Sequence, residues 1–347
     1  MTRDRIMLID RRTAVLGIAA SAAANITPAR AAKSFRIVVT EAETPLVPNS
    51  VVQLAKPLGY YDRERVGVEI MHVGQTPLAI AALISGAADM ANVGVDALLH
   101  FATRSDVRIK AVMSPNKTLP FLIAARRNIG SVADLKGATF GIARIGSLDH
   151  SLTMALLRAK GVDPSSMHLL ALGEPRWRAQ ALATGRLDAT TISIGSWASL
   201  PARDDLHVLV TASEFHATLP FVSKLNAVRD ATIAERRPEI DAVVRALIAA
   251  GRDFHADERR WTSAMRTARP DVPAEVLDRL APEFRDGWCV NGGLNRQELV
   301  ATQDWIFREP DFAGLKPPPL HDWVDFSFVD QALADLKRID GLDAPVR

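Results

Sequence analysis

The 347-residue chain has one cysteine, Cys289, which excludes an internal disulfide and the thiolate cages that hold structural zinc. A core of this size needs no covalent staple. Nucleotide and hydrolase signatures are missing as well. Gly141 to Gly146-Ser147 has the spacing of a phosphate-binding loop but lacks its lysine. No G-x-S-x-G elbow and no H-E-x-x-H occur, and the eight histidines are scattered without metal-ligand spacing. No metal, cofactor or hydrolytic centre is expected. Low-complexity tracts are absent, and the later apolar segments stop short of the roughly eighteen residues a membrane span requires. The best of them, AVVRALIAAG, is broken by Arg245.

What is present begins with residues 1–31, where a basic start, an apolar centre from Ala14 to Ala24 and the small-x-small exit Ala29-Arg30-Ala31 read as an export signal. Its centre is too short for a stable anchor. The paired Arg11 and Arg12 and the weakly apolar centre favour the twin-arginine route over the general one, although Asp10 and Ala14 depart from the usual motif. Cleavage removes five Arg and two Asp from totals of 42 and 40, leaving 37 basic and 38 acidic groups. A mature protein so nearly neutral offers no nucleic-acid footprint.

From Lys33 onward strands and helices alternate. SFRIVVT, VGVEIMHV and DMANVG read as strands, with Asn49 or Ser50 expected to cap the intervening helix and Thr76 the next. ATFGIA, MHLLAL and DATTISI read as strands of a second half, separated by helices from Ser147 and from Glu174. Such alternation implies parallel βαβ units and an α/β class. Two segments share a grammar. ALISGAADMANVGVDALL and ALATGRLDATTISIGSWASL each run from an apolar helix through Gly-x-x-Asp into a strand and a small-residue turn. The turns Gly94 to Asp96 and Gly195 to Trp197 therefore fall at strand carboxyl ends, where open α/β sheets bind ligands. After Leu219 the chain reads as a hinge return followed by helices. The expected division is 1–31 signal, 32–125 first lobe, 126–212 second lobe, and 213–347 return with C-terminal helices.

Candidate binding residues follow from those positions. In GIARIGSLDHS, Arg144 ends a strand while Gly146, Ser147 and Leu148 open a helix, an arrangement that suits a carboxylate, sulfonate or phosphate. The alternative is that Ser147 only caps its helix and Arg144 is solvated; His150 is a weaker candidate. Arg176 and Trp177 in GEPRWRA, and Trp197 in the repeated turn, either stack on a ligand or belong to ordinary packing. In the first half Thr40 and Glu41 follow the first strand, Thr76 the second, and Asn92 and Asp96 mark the third. Turn chemistry and capping are the competing roles.

Residues 34–265 resemble the substrate-binding proteins of ABC importers for nitrate, sulfonates, taurine, aromatic carboxylates and the pyrimidine precursor of thiamine. The order and spacing of LGYYDRERVGVEIMHVGQTPLAIAALISGAADMANVGVDALL, SVADLKGATFGIARIGSLDHSLTMALLRAKGVDPSSMHLLALG and RAQALATGRLDAT carry the resemblance. It implies a two-lobe periplasmic-binding-protein-like (type II) fold, ligand between the lobes, and delivery to a membrane permease with its ATPase by a monomer in the periplasm. It maps the ligand-facing loops onto 40–44, 74–76, 92–96, 146–148 and 193–197. TEAETP is acidic for a simple anion, so Glu41 or Glu43 is expected to meet a donor group on a mixed polar and aromatic ligand, which argues against a small inorganic anion. Enzymes of similar fold use cysteine motifs that this chain lacks. A ligand sensor without transport would use the same cleft.

Overall fold

The computed structural model describes residues 33–116, 121–200, 204–218, 222–340 and 343. The expected export signal lies outside them. A compact unit begins at Ser34.

The first half runs β1 (Phe35–Val39), α1 (Val51–Leu54), α2 (Tyr60–Arg63), β2 (Val68–His72), α3 (Thr76–Ile84), β3 (Met90–Gly94), α4 (Val95–Ala102) and β4 (Ile109–Asn116). The second comprises β5 (Phe121–Arg126), β6 (Thr139–Ile142), α5 (Leu148–Ala159), β7 (His168–Ala171), α6 (Pro175–Ala183), β8 (Ala189–Ser193), α7 (Ile194–Ala198), β9 (Leu206–Val210) and α8 (Ala212–Thr218). Then come β10 (Lys224–Arg229), α9 (Asp230–Ala256), α10 (Glu258–Ala268) and four further α-helices up to Leu336.

Two five-stranded sheets result, ordered β2-β1-β3-β10-β4 and β7-β6-β8-β5-β9. They are the same arrangement written twice. In each, three strands are parallel, and an antiparallel strand from elsewhere in the chain is inserted beside the third. The sheets are therefore mixed, whereas alternation predicted parallel units. The inserted strand β5 follows β4 with no α-helix between them, and β10 stands before α9 in a segment that reads as helical. The boundary expected at residue 125 falls inside β5, which pairs wholly within the second sheet. β10 lies in the return segment, which reads as helical from sequence.

The repeated Gly-x-x-Asp has a structural explanation. Gly86 and Gly185 follow their helices at φ +73° and +76°, left-handed values that only glycine adopts without a Cβ penalty. Three residues on, Asp89 Oδ2 accepts the N–H of Arg36, the second residue of β1, and Asp188 Oδ2 accepts the N–H of Thr139, the first residue of β6, each at 2.8 Å. One motif thus ends a helix and ties the amino end of the neighbouring strand. It sits at the sheet edge opposite the strand carboxyl ends.

Both faces of the second sheet are covered. Along β5, Ile123 and Ala125 enter the large continuous core, while Leu122 and Ala124 face a smaller cluster with Ala179 and Leu182 of α6. The period-two alternation of a strand distributes them. α9 packs on β4 and β10. Pro238 lies inside it, and Arg236 leaves helical geometry at φ −133°, ψ 26°. The kink aims the Arg236 guanidinium at Asp89, 2.9 Å away. Among the described residues no helix is long and apolar enough to cross a membrane.

Two capping expectations fail for one reason. The Asn49 side chain donates to Asn92 (3.0 Å) and Ser50 accepts the Trp261 indole N–H (2.9 Å), so both are used by tertiary neighbours instead of their own helix. Thr76 is the first residue of α3; Gln75 occupies the cap position.

Candidate functional site

The carboxyl ends of β1 to β3 and of β6 to β8 carry the loops of interest, and each inserted strand starts at the same edge. Lys224 of β10 pairs with Gly94, and Phe121 of β5 pairs with Ser193. Lys224 went unmarked in the sequence because the short run KLNAVR stands before a long helix and is flanked by no turn signal of its own.

On the first sheet's edge, Lys224 Nζ donates to Thr40 Oγ1 at 2.7 Å and pairs with Glu41 Oε1 at 2.9 Å. His72 Nδ1 donates to the Glu41 carbonyl at 2.9 Å, fastening this loop to the end of β2. Burial pushes the Glu41 carboxyl up, but the Lys224 ammonium and its hydrogen bond outweigh this and hold it below the usual range. Glu43, expected as its equal, points to solvent and pairs with Arg269 at 3.3 Å.

Asp96 stands in the first turn of α4, directly after β3. Burial lifts its carboxyl above the ordinary range, opposed by nearby backbone N–H groups and by the charges of Arg144 and Lys224. Asp96 thus feels a cation from each lobe. Asn92, one turn of the pleat earlier, is fully buried; it accepts from Asn49 and donates to Asn226 Oδ1 at 2.7 Å. Thr76 is half-buried, and its hydroxyl makes no cap bond.

On the second sheet's edge, Arg144 is exposed. Gly146 turns the chain at φ +74°. A Cβ there would stand 2.6 Å from Asp311 Oδ2, so the C-terminal region approaches this loop closely. Neither sequence reading of Ser147 describes what the hydroxyl does. It caps no helix, and both the Arg144 carbonyl and Asp149 Oδ1 lie within 2.7 Å to take its proton. The Gly146 N–H donates to His150 Nδ1 at 3.2 Å, which requires a neutral imidazole; burial lowers that histidine's pKa accordingly. Leu148 opens α5, and the N–H groups of its first turn remain without intrahelical partners. The donors left for an anion are therefore those N–H groups and the Arg144 guanidinium.

Beneath this loop lies a buried pair that the sequence did not reveal. Arg178 Nη1 meets Asp149 Oδ2 at 2.7 Å and donates to the Thr191 carbonyl at 2.5 Å, with only 1% of the residue exposed. Its helical neighbours Arg176 and Trp177, the ones singled out, are exposed. Arg176 pairs with Glu174 at 3.3 Å and lies 4.8 Å from the Trp177 ring centroid. The period of α6 decides this: Arg178 and Ala179 face the sheet, and Arg176 and Trp177 face away. Trp197 is half-buried against the small cluster of the second sheet.

The lobes meet at Gly195, where a Cβ would stand 2.4 Å from Leu46 Cβ and 2.7 Å from its carbonyl. A cavity of about 430 Å³ runs from Glu43, Thr44 and His72 back to Lys56 and Arg269, and one of about 710 Å³ lies among Tyr60, Arg63, Phe254 and Arg260. Neither is lined by Lys224, Asp96 or Arg144. Charge placement, more than hollow volume, therefore marks the edge between the lobes.

Residues 50–258, comprising most of both sheets, match the family described as NMT1/THI5 like. The chain belongs to that family. No curated protein matches it by sequence. Among solved structures, a putative periplasmic sulfonate-binding protein SsuA from Methylobacillus flagellatus is 16% identical, with 89% of this chain and 96% of that one covered at a TM-score of 0.69. The alkanesulfonate-binding protein SsuA from Xanthomonas axonopodis pv. citri, bound to MOPS, is 20% identical, with 86% and 97% covered at 0.64. The desulfurization enzyme DSZB is 15% identical, with 88% and 100% covered at 0.63. These similarities show the fold of this NMT1/THI5-like protein: two α/β lobes of the periplasmic-binding-protein kind with a helical C-terminal region.

Proposed function

We propose that this protein is the exported solute-binding component of an ABC importer, capturing a small organic anion of the sulfonate or aromatic carboxylate kind between its lobes for a permease. The observation that carries the reading is the position of Asp96, in the first turn after β3 and near enough to Lys224 of the first sheet and Arg144 of the second for both charges to act on its carboxyl against the larger effect of burial. Arg144 and the amino end of α5 supply positive potential for an acid group. The sulfonate-binding names of two fold neighbours favour the same ligand class.

Residues 1–31 supply the export signal in this reading, by the twin-arginine route. Cys289, 3% exposed, is poorly placed to act as a nucleophile, which favours binding over catalysis. The test is a thermal-shift screen of the purified protein against sulfonates, aromatic carboxylates, nitrate, pyrimidines and amino acids, with the ligand recovered and weighed by mass spectrometry. A ligand at a hundred times its Kd adds about 2.7 kcal/mol, a readily measured rise in Tm. Recovery of an unchanged organic anion is expected; a consumed ligand would replace this reading with an enzymatic one.

A further inference from the structure

We infer that Glu41 is the specificity-determining residue of this cleft, accepting a hydrogen bond from an amino or ammonium group on the bound organic anion, with Lys224 as the residue that positions it. The inference rests on the solute-binding reading above and adds the chemistry at the ligand's far end.

Lys224, the Thr40 hydroxyl and the residue's own N–H all stabilise the Glu41 carboxylate, but its two oxygens are not served equally. Oε1 pairs with Lys224 Nζ at 2.9 Å, whereas Oε2 is buried and accepts no hydrogen bond among the described residues. A buried carboxylate oxygen without a donor carries an unrecovered desolvation cost, which a hydrogen-bond donor on a ligand would offset. The surrounding loop is not loose. The Glu41 carbonyl is held by His72, and Lys224 is held in turn by Thr40, so Oε2 has a defined position at the end of β1. An ionised carboxylate only accepts, so Oε2 calls for a donor and repels a second acid group. The ligand's acid is thereby directed away from Glu41, toward Arg144 and the amino end of α5 on the other lobe. Glu43, two residues on, is 60% exposed at its side chain and already paired with Arg269, so it does not share this role.

Calorimetric titration with pairs of probes that differ only in the donor tests the assignment: aminoethanesulfonate against propanesulfonate, and para-aminobenzoate against para-methylbenzoate. The amino member of a pair is expected to bind about 10- to 100-fold more tightly, the range of a hydrogen bond to a charged group. Glu41→Gln should erase that ratio and leave the methyl member's affinity equal or higher, because Lys224 is released to attract the anion. Glu41→Asp, which keeps the charge but withdraws the oxygen by one methylene, should reduce the ratio if the glutamine variant folds poorly. Equal affinities within each pair, or an equal loss for both members in the variants, would overturn the role of Glu41 and leave solute binding standing. Binding of no member would overturn the solute-binding reading and this inference together.

Discussion

The two lobes repeat one frame and fill it with opposite chemistry. Aligning Gly86 with Gly185 brings Asp89 onto Asp188, and both aspartates hold an N–H at the amino end of a neighbouring strand. The same alignment sets Ala79 against Arg178 and Asp96 against Gly195, while the inserted strands start with Lys224 in one lobe and Phe121 in the other. The first lobe thus gathers charge at its carboxyl edge, in Glu41, Lys224 and Asp96. The second keeps its ion pair beneath the surface, in Arg178 and Asp149, and leaves the Arg144 guanidinium exposed above it. Backbone pairing and helix ends set the frame; the side chains between them set what each lobe can recognise.

The largest break in this comparison is Arg178→Leu. It strands Asp149 in the interior, and breaking one side of a buried pair costs about 3–5 kcal/mol, to be read as a lowered urea midpoint. The double variant Arg178→Leu with Asp149→Leu should recover most of the loss, since apolar replacement of a whole pair is nearly neutral.

The tethering aspartates should separate next. Asp89→Ala loses contacts to Arg36 and Arg236 as well as the strand N–H, about 2–4 kcal/mol, whereas Asp188→Ala loses chiefly the N–H bond, about 1–2 kcal/mol. Burial raises the Asp89 carboxyl, yet the Arg36 hydrogen bonds and the Arg236 charge bring it below its ordinary value. A lowered folded pKa gives stability that is present above the unfolded value near about 4 and is lost as pH falls through the folded value. Acid unfolding of Asp89→Asn should therefore start from lower stability and show a shallower loss below about pH 4.

At the meeting of the lobes, Gly195→Val places a Cβ against Leu46. Overpacking of this kind costs about 1–3 kcal/mol in the closed form, so ligand affinity should fall about tenfold or more while small-angle scattering of the ligand mixture shows less compaction. The smallest effects belong to the helix-ending glycines. Gly86→Ala and Gly185→Ala should each cost about 1–2 kcal/mol of left-handed strain. The second should cost more, because its Cβ would lie 2.5 Å from the Arg126 guanidinium, against 3.3 Å from that of Arg229 at Gly86.

The α/β class, the six parallel strands and the duplicated Gly-x-x-Asp were legible because each is written in local pattern. Edge positions such as Thr40, Glu41, Asp96 and Arg144 followed from knowing where strands end. Lys224 did not, since its strand is inserted from more than a hundred residues away and pairs antiparallel between β3 and β4. Arg178 was passed over for Arg176 because both stand in the same helical turn and only packing tells which one is inside.

By itself the sequence determined the repeated strand and helix rhythm, the left-handed glycine stops and the chain's near-neutral balance, all of which depend on neighbours a few residues apart. The tertiary structure decided which charges meet: Glu41 with Lys224, Asp149 with Arg178, Asp89 with Arg236. Those pairs join residues about 30 to 180 positions apart in the chain, and their strength depends on burial and on ångström-scale distance, which no local pattern records.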